Sequence, residues 1–367
     1  MISFDMIVLF KRGDTLLPYY HYVIAFAIAL ITTVITTPIV KKIAFRFDIV
    51  DKPANRKIHK CNMPRLGGLA IVFGVAAGFL YLTPESDYMS RIIIGGLIII
   101  ILGIIDDKIT LSPKAKLIGQ LIAAIVVVSS GLLIEYVTIP FYGKLEFGIF
   151  SHLITILWII GITNAINLID GLDGLAAGVS SIALTTILIM AVLDNQWLVI
   201  ALSVILLGST IGFLFFNFYP AKIFMGDTGA LFLGYSISII SILGLFKSVT
   251  IFSLVIPVAI LAVPIFDTFF AIVRRIINGQ KISRPDNQHL HHRLISMGFS
   301  HRATVLIIYG VSAFFGISAI VFSASTLWGS LFIILLLLFT LQLTHEIVGQ
   351  IDKNRQPIVS FLKKLTD

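Results

Sequence analysis

Residues 164–176 read Asn-Ala-Ile-Asn-Leu-Ile-Asp-Gly-Leu-Asp-Gly-Leu-Ala and join two long apolar runs of the chain. Apolar runs of about 20 residues are typical of helices that cross a bilayer. Charged groups at the junction of two such helices are costly to desolvate, so they are usually kept for function. Asn164, Asn167 and Asp170 are spaced by three and would share roughly one face of a continuing helix. The alternative is a polar turn that merely caps the two helices.

The chemistry of this segment suits a metal ion and a phosphate. Gly171 and Gly174 allow the backbone to turn or to approach a ligand closely. Asp170, Asp173 and the two asparagines supply the hard oxygen atoms that a divalent cation such as Mg²⁺ prefers. The segment therefore predicts a loop that binds a cation beside phosphate groups.

Composition predicts the class of protein. The chain is 57% hydrophobic and 13% charged, with a mean hydropathy of +1.01, whereas soluble domains average about 25% charged residues. We predict an all-α polytopic membrane protein that forms one integral-membrane domain over residues 1–367. The single Cys61 excludes a disulfide framework, and the chain has no CxxC or HExxH pattern. In a membrane protein, the net charge of +8 is explained by basic residues in cytoplasmic loops. We therefore predict no nucleic-acid partner.

Apolar segments predict about eleven transmembrane helices, with boundaries accurate to a few residues. The segments lie at about 21–41, 67–83, 91–105, 114–134, 151–169, 174–193, 197–217, 228–246, 250–273, 303–323 and 325–345. The segment at 91–105 is short. The external stretch 135–150 has the residues of a small hairpin, to which we assign no function.

The basic residues predict the orientation. With the N-terminus outside, all but five of the 27 lysines and arginines lie on the cytoplasmic side, and the five are Lys11, Arg12, Arg91, Lys144 and Lys247. The positive-inside rule therefore places the N-terminus outside and the C-terminus in the cytoplasm. The predicted cytoplasmic segments are about 42–66, 106–113, 170–173, 218–227 and 274–302, with a tail at 346–367.

The acidic residues then converge on the same side without having been used to set the orientation. They are Asp106, Asp107, Asp170, Asp173 and Asp227 at cytoplasmic helix ends, and Asp267 inside the membrane near that face. This convergence predicts one polar site at the cytoplasmic face.

Three further motifs carry charge at that face. Asp106-Asp107 is followed by Lys114 and Lys116, so anion-binding and cation-binding groups face one another across a short loop. Adjacent carboxylates raise each other's pKa unless a cation lies near, although an ordinary helix-end pair in water is equally compatible with the pattern. Asp227 lies between glycines in Phe224-Met-Gly-Asp-Thr-Gly229, where it can bind an ion, cap a helix, or do both.

The segment His289-Leu-His-His-Arg293 places three histidines and an arginine in five residues. These side chains could bind phosphate, a sugar or a transition metal, but zinc is the weaker interpretation because no cysteine accompanies them. The alternative is a solvated basic loop. Asp267 either faces the site or pairs with a lysine on another helix. Basic residues around Arg56 and Arg65 either attract anionic lipid headgroups or only set the topology.

Together these motifs resemble the polyprenyl-phosphate N-acetylhexosamine-1-phosphate transferase superfamily. The resemblance runs from about Asp51 to Arg302, and its motifs occur in the family's order. The matching blocks are Asp106-Asp107, 164–173, 217–227 and 289–293. Within the superfamily the chain resembles the WecA/TagO-like branch, in its segments 51–53, 64–68 and 289–294. The eleven-span count also fits that branch better than the ten-span MraY branch.

The resemblance implies a reaction. A membrane polyprenyl phosphate, expected to be undecaprenyl phosphate, attacks the β-phosphate of a UDP-N-acetylhexosamine, expected to be UDP-GlcNAc. UMP leaves, and the polyprenyl-diphospho-sugar begins a cell-surface glycan of the teichoic acid or O-antigen type. The resemblance also implies a Mg²⁺ cofactor, with Mn²⁺ as a substitute, and location in the bacterial cytoplasmic membrane. It allows a homodimer, for which the sequence shows no interface signature.

The resemblance further implies roles for individual residues. Asp227 and Asn167 would be metal ligands, with Asp170 in or near the metal shell. Asp106 and Asp107 would be the acidic pair that orients or deprotonates the lipid phosphate and holds the cations of the site.

The remaining implied roles concern the substrate. Lys116 and Lys114 would contact phosphate, Phe224 would stack on uracil, and Asp173 would hydrogen-bond to it. Asn217 would line the nucleotide pocket, and Asn164 would also contact substrate. The sugar and diphosphate would meet His289, His291, His292 and Arg293.

Two other functions remain open on the residues alone. A related transferase that uses UDP-MurNAc-pentapeptide would share most of these motifs. A transporter would use Asp267 and the glycine-broken helices as its ion and substrate site, but the polar groups gather at one face and no inverted repeat is visible. Direct displacement is the favoured mechanism, and an aspartyl-phosphate intermediate is chemically allowed.

Overall fold

Apolar runs fold into helices throughout the computed structural model, which describes residues 19–51, 62–139, 143–244, 255–277, 279–280 and 289–323. The helices are α1 Tyr19–Arg46, α2 Gly68–Leu82, α3 Met89–Ile109, α4 Pro113–Val128, α5 Ser151–Ile169, α6 Leu175–Leu193, α7 Trp197–Asn217, α8 Gly226–Gly244, α9 Val255–Ile260, α10 Ala262–Ile277, α11 Leu290–Ser296 and α12 His301–Ser323. The strands are β1 Val50–Asp51, β2 Met63–Pro64, β3 Tyr136–Ile139 and β4 Gly143–Glu146.

Six helical segments of the described chain are long and apolar enough to cross a membrane: α1, α6, α7, α8, α12 and residues 148–169, which include α5. The predicted multi-pass, helical class is therefore confirmed, whereas the count of about eleven spans is not. The predicted segment 325–345 and the tail 346–367 lie outside the described residues, as do residues 1–18.

Two predicted segments differ from the observed helices. The segment 114–134 ends early, because α4 stops at Val128 and Gly131 takes a left-handed backbone with φ of 86°. The segment 250–273 is not one helix, because α9 and α10 are separated at Leu261. Pro264 has no N–H to donate to the carbonyl of Ile260, which is where a continuous helix would need one.

Helix α8 is the centre of the bundle. All of its side chains are buried except that of Ser236, and it packs against α2, α3 and α5. Glycines allow two of these approaches: a Cβ on Gly68 would fall on the backbone of Gly229, and one on Gly103 would fall on the backbone of Thr228. The first turn of α8 is therefore held where α2, α3 and α5 converge.

Two short antiparallel strand pairs complete the described structure. β1 pairs with β2 through Val50↔Pro64 and Asp51↔Met63. β3 and β4 form a hairpin in which Tyr136 opposes Glu146 and Ile139 opposes Gly143. The predicted hairpin within 135–150 is thus confirmed.

Candidate functional site

The site begins where α3 meets the first turn of α8. Asp107, near the end of α3, accepts hydrogen bonds from the backbone N–H of Asp227 at 2.7 Å and of Thr228 at 3.0 Å. It also accepts one from the hydroxyl of Thr228 at 2.6 Å. The N-terminal N–H groups of a helix lack partners within that helix, and here a carboxylate from another helix supplies them. The predicted capping role at this helix start therefore belongs to Asp107.

Capping by Asp107 leaves the side chain of Asp227 free for other contacts. Arg65 donates through Nη2 to Asp227 Oδ2 at 2.6 Å, and its Nε lies 3.4 Å from Asp107 Oδ1. Asn167 Nδ2 donates to Asp227 Oδ1 at 2.7 Å, and Lys116 Nζ lies 3.4 Å from the same oxygen. Asp227 is therefore the point at which four separate segments of the chain meet.

Asp106 extends this cluster. Its carboxylate forms an ion pair with Lys116 and accepts a hydrogen bond from the backbone N–H of Leu111 at 2.7 Å. It is 1% exposed, so a buried charge is balanced by the same lysine that reaches Asp227. Lys116 therefore bridges Asp106 and Asp227. Its pair with Asp106 is one of the facing charges that the sequence predicted, whereas Asp107 pairs with Arg65.

The cluster holds more negative than positive charge. Three carboxylates, those of Asp106, Asp107 and Asp227, share the ion pairs of Arg65 and Lys116. The carboxylate of Asp170 lies near enough for the charges of Asp227 and Arg65 to act on it. Desolvation, together with the charge of Asp227, raises the pKa of Asp170 to about 7. A bound divalent cation would offset this excess, and carboxylate and amide oxygens are its preferred ligands.

The fit to a metal rests on donor type and charge, because the described residues contain no group of three histidine, cysteine or acidic side chains arranged to hold an ion. The predicted ligands Asp227 and Asn167 are in direct contact with each other. Asp170 ends α5 one turn after Asn167, which brings it to the same region.

A cavity of about 560 Å³ opens beside the carboxylates. Its lining includes Arg65, Asp170, Asp173, Asn217, Tyr219, Phe224, His292 and His301. Five of these are predicted site residues. An aromatic ring, amides and a cationic side chain around a space of this size are typical of a pocket for a small polar ligand.

Side chains from α7 and α12 fix the loop at 170–174 from outside. Asn217 accepts from the N–H of Gly174 at 3.1 Å, and Tyr309 donates to the carbonyl of Gly174 at 2.5 Å. The N–H of Asp173 donates to His301 Nε2 at 3.0 Å. Gly174 has a φ of 78°, which favours glycine. The loop therefore has a defined backbone.

Two predicted substrate contacts take part in this scaffold. Asp173 Oδ2 accepts from the N–H of Ala221 at 2.9 Å, and Asn217 Nδ2 donates to the carbonyl of Ile223 at 3.0 Å. Both residues shape the 218–225 loop that carries Phe224. Their predicted contacts with nucleotide stay predictions.

The histidine segment lies against the loop at 170–174. His291 is buried and packs so closely on Gly171 that a Cβ there would overlap its ring. Burial lowers the pKa of His291 to about 3, so its ring is neutral. His292 reaches the cavity wall, and Arg293 lies in the same short helix, α11. Their predicted roles toward sugar and diphosphate are not tested by these contacts.

Two predicted substrate residues are placed differently from the rest. Asn164 exchanges hydrogen bonds with Gln120 at 3.2 and 2.6 Å and donates to the carbonyl of Ile160 at 2.8 Å. Lys114 is exposed on the first turn of α4, outside the contacts described above. Substrate contact by either residue stays a prediction.

Of the two alternatives for Asp267, the lysine partner is wrong. Its partner is His289, one of the predicted site residues, whose Nδ1 lies 2.8 Å from Asp267 Oδ2. The sequence did not show this partner because apolar patterning does not indicate which loop packs against α10.

Arg65 and His301 are site residues that sequence reasoning did not assign. Arg65 reaches the carboxylates because the residues on either side of it are hydrogen-bonded to the 218–225 loop. Phe224 N–H donates to Pro64 O at 2.9 Å, and Gly68 N–H donates to Met225 O at 2.8 Å. The available signal was the glycine pair that follows Arg65, which permits such a close approach. No sequence signal singled out His301.

Comparison with known proteins gives consistent matches. The family model described as Glycosyl transferase family 4 matches residues 89–245. A probable undecaprenyl-phosphate N-acetylglucosaminyl 1-phosphate transferase from Bacillus subtilis is 54% identical over 94% of this chain and 96% of the relative. A decaprenyl-phosphate N-acetylglucosaminephosphotransferase from Mycobacterium leprae is 36% identical over 87% of this chain and 88% of the relative. A phospho-N-acetylmuramoyl-pentapeptide-transferase from Halalkalibacterium halodurans is 32% identical over 81% and 95%.

Proposed function

Because the chain belongs to the polyprenyl-phosphate N-acetylhexosamine-1-phosphate transferases of glycosyl transferase family 4, we propose that it transfers GlcNAc-1-phosphate from UDP-GlcNAc to undecaprenyl phosphate. UMP is released, and undecaprenyl-diphospho-GlcNAc forms as the first membrane intermediate of a cell-surface glycan. The observation that carries the proposal is the 54% identity to the Bacillus subtilis relative over almost the whole of both chains.

The second candidate is transfer of phospho-MurNAc-pentapeptide. It is supported by the 32% identical relative named for that reaction. The identity to relatives named for N-acetylglucosamine is higher, at 54% and 36%. We therefore place UDP-GlcNAc first and treat the muramoyl donor as the comparison substrate.

The proposed arrangement in the membrane follows from charge. It has about eleven spans, the N-terminus outside, the C-terminus in the cytoplasm and the carboxylate cluster at the cytoplasmic face of the bacterial cytoplasmic membrane. Support comes from the positive-inside rule and from the six apolar helices. A homodimer stays a prediction drawn from the family.

The proposed chemistry is direct displacement, in which the lipid phosphate attacks as an anion. Because the nucleophile is already charged near neutral pH, the site must mainly offset repulsion between two anions. Mg²⁺, when bound, would polarise a phosphate oxygen and neutralise charge, and Asp227, Asn167 and Asp170 would hold it. Lys116 brings a positive charge to Asp227 and Asp106, and Asp106 would orient the lipid phosphate.

Arg65 adds the geometry that a lysine cannot provide. Its planar guanidinium has parallel donors that match phosphate and carboxylate oxygens, and it lines the cavity while contacting Asp227. We therefore add Arg65 to the groups that would contact the diphosphate of the donor. Phe224 and Asp173 would bind the uracil, and the histidine segment would face the sugar.

The test is UMP release by the purified protein in detergent with undecaprenyl phosphate, Mg²⁺ and UDP-GlcNAc. We expect release to require both lipid and Mg²⁺ and to fall below detection in Asp227→Ala. Asp87→Ala is the matched control, because Asp87 is an exposed aspartate and its loss should leave turnover unchanged.

The donor is decided in the same assay by substitution. Turnover with UDP-MurNAc-pentapeptide and none with UDP-GlcNAc would keep the reaction class and overturn the proposed substrate. Folded protein that releases UMP from neither donor would contradict the transferase and make transport the next function to measure.

A further inference from the structure

Asp267 is a buried acid of α10 that the proposed reaction does not use. It is 6% exposed, and His289 is 5% exposed. Both carboxylate oxygens contact the histidine segment: Oδ2 lies 2.8 Å from His289 Nδ1, and Oδ1 accepts from the backbone N–H of Leu290 at 2.8 Å. A carboxylate buried among apolar helices is costly unless it accepts hydrogen bonds, and both of these contacts go to one short segment.

These two contacts determine where the proton of His289 lies. An ionised carboxylate can only accept hydrogen bonds, so Nδ1 of His289 must carry the hydrogen in the bond to Asp267. In the neutral ring, Nε2 then has a free lone pair and can accept a hydrogen bond. The backbone N–H of Leu290 occupies the other oxygen, which prevents the carboxylate from rotating away.

We propose that Asp267 is a positioning residue that holds His289 with its hydrogen on Nδ1 and its Nε2 as an acceptor, and that fixes helix α11 against the cavity. The ring of His289 lies parallel to that of His291, with centroids 5.9 Å apart. His291 in turn packs on Gly171, and His292 lines the cavity. Asp267 thus acts on the donor site through the histidines. The assignment of an effect on turnover rests on the proposed function.

Asp267→Asn separates orientation from folding. The N–H of Leu290 needs an acceptor, so the amide oxygen of the asparagine would face it, and the NH₂ group would face His289. Nδ1 would then have to accept, and the hydrogen of the ring would move to Nε2. The variant keeps the shape and both hydrogen bonds but reverses the tautomer, a change that a purely structural role would not produce.

The first measurement is the nitrogen NMR spectrum of the full-length protein in lipid, with ¹⁵N-labelled histidine. His289→Gln identifies the signals of His289 among the eight histidines. We expect a protonated Nδ1 in the wild type and a protonated Nε2 with bare Nδ1 in Asp267→Asn. A wild-type His289 with bare Nδ1 would overturn the proposal without any variant having to fold.

The second measurement is turnover. We expect Asp267→Asn to lower kcat/KM by roughly 10- to 100-fold, by analogy with the loss of partners that orient metal-binding histidines, with an unchanged melting temperature. In a His289→Gln background the same substitution should have no further effect, since residues that act through one another are not additive. Additive losses would contradict an action through His289.

The two proposals fail in different ways. Absence of UMP release from the wild type with any donor would remove the transferase but leave the tautomer result standing. A correct turnover reaction with a bare Nδ1 on His289 would keep the transferase and remove the role of Asp267.

Discussion

Arg65 is the residue whose placement most changes the interpretation of the site. It contacts Asp227 at 2.6 Å and Asp107 at 3.4 Å, so it links the residue proposed to bind metal with the residue that caps α8. Both bonds use different nitrogen atoms of one planar group. A lysine has a single ammonium and cannot reproduce this geometry.

We therefore expect Arg65→Lys and Arg65→Gln to lower kcat/KM by similar factors. Loss of a charged hydrogen bond costs about 1.5–3 kcal/mol, so each variant should have a kcat/KM that is roughly 10- to 100-fold lower than that of the wild type. Steady-state UMP release measures this directly. Lys222→Gln is the control, because Lys222 is an exposed cation of the neighbouring loop. Full activity in Arg65→Gln would show that the guanidinium does not contribute to turnover.

Asp170 gives a prediction about pH. Its pKa is raised from 3.8 to about 7, first by desolvation and then by Asp227. The folded state therefore holds a proton that the unfolded state releases, and the free energy of unfolding falls as pH rises between about 4 and 7. In metal-free protein, Asp170→Asn should remove this loss and raise the melting temperature more at pH 8 than at pH 5.

Thermal unfolding in detergent with EDTA measures the effect of Asp170→Asn. The same variant should be inactive, because the carboxylate proposed for the metal shell is gone. Equal shifts of the melting temperature at pH 5 and pH 8 would show that Asp170 does not titrate in this range.

At the scale of elements, the start of α8 is held by its neighbours. Asp107 of α3 caps it, and Gly68 of α2 lies against Gly229 with no room for a Cβ. A shift of α2 would carry Arg65 with it, because Arg65 lies three residues before the start of α2 at Gly68. The geometry of the carboxylate cluster therefore depends not only on Asp107 but also on the contact between Gly68 and Gly229, in which no carboxylate takes part.

Gly68→Ala tests this dependence. Overpacking of a tight contact costs about 1–3 kcal/mol, so we expect a melting temperature several degrees lower and reduced turnover. Gly161→Ala is the matched control, since nothing lies within 4 Å of a Cβ at that helical position. Gly161→Ala should be neutral or slightly stabilising. Equal effects of the two substitutions would contradict the packing argument.

Hydrophobic patterning predicted most of these elements but not how they end. Ten of the eleven apolar segments correspond to helices in the described residues. They could be predicted because the length and the apolar composition of each segment are visible in the sequence. The break at Leu261 was missed although Pro264 signals it, since both halves are apolar. The early end of α4 was missed although Ser129, Ser130 and Gly131 signal it, because the apolar run resumes at residues 132–134.

The candidate site was predictable to the extent that its residues cluster in motifs. Asp106, Asp107 and Asp227 were found because carboxylates at apolar helix ends are unusual, and Asn167 was found because its spacing places it on one helix face with Asp170. The structure brings these four residues together. The pairing of Asn164 with Gln120 and of Asp267 with His289 was not found. Each pair joins separate elements, and their packing is not visible in a linear pattern.

At the scale of the whole molecule, the distribution of lysines and arginines predicts how the protein is oriented in the membrane. This orientation can be measured by labelling cysteines. Single cysteines can be introduced into a Cys61→Ser background at exposed lysines on the two predicted sides. We expect Lys144→Cys, in strand β4, to react with a membrane-impermeant maleimide in intact cells. Lys222→Cys, beside the carboxylate cluster, should react only after permeabilisation. The reverse pattern would invert the topology and place the site outside.

Tyr309 and His301 have a consequence for biogenesis. Among the residues that the structure describes, α12 is the last element along the chain to contact the backbone of the loop that carries Asp170 and Asp173, and it lies more than 120 positions further along. A nascent chain on the ribosome can insert the helices that carry every carboxylate of the cluster while this loop still lacks those contacts. The loop therefore becomes fixed late in synthesis, and chains that terminate before α12 reach the bilayer without the contacts that Tyr309 and His301 make to it.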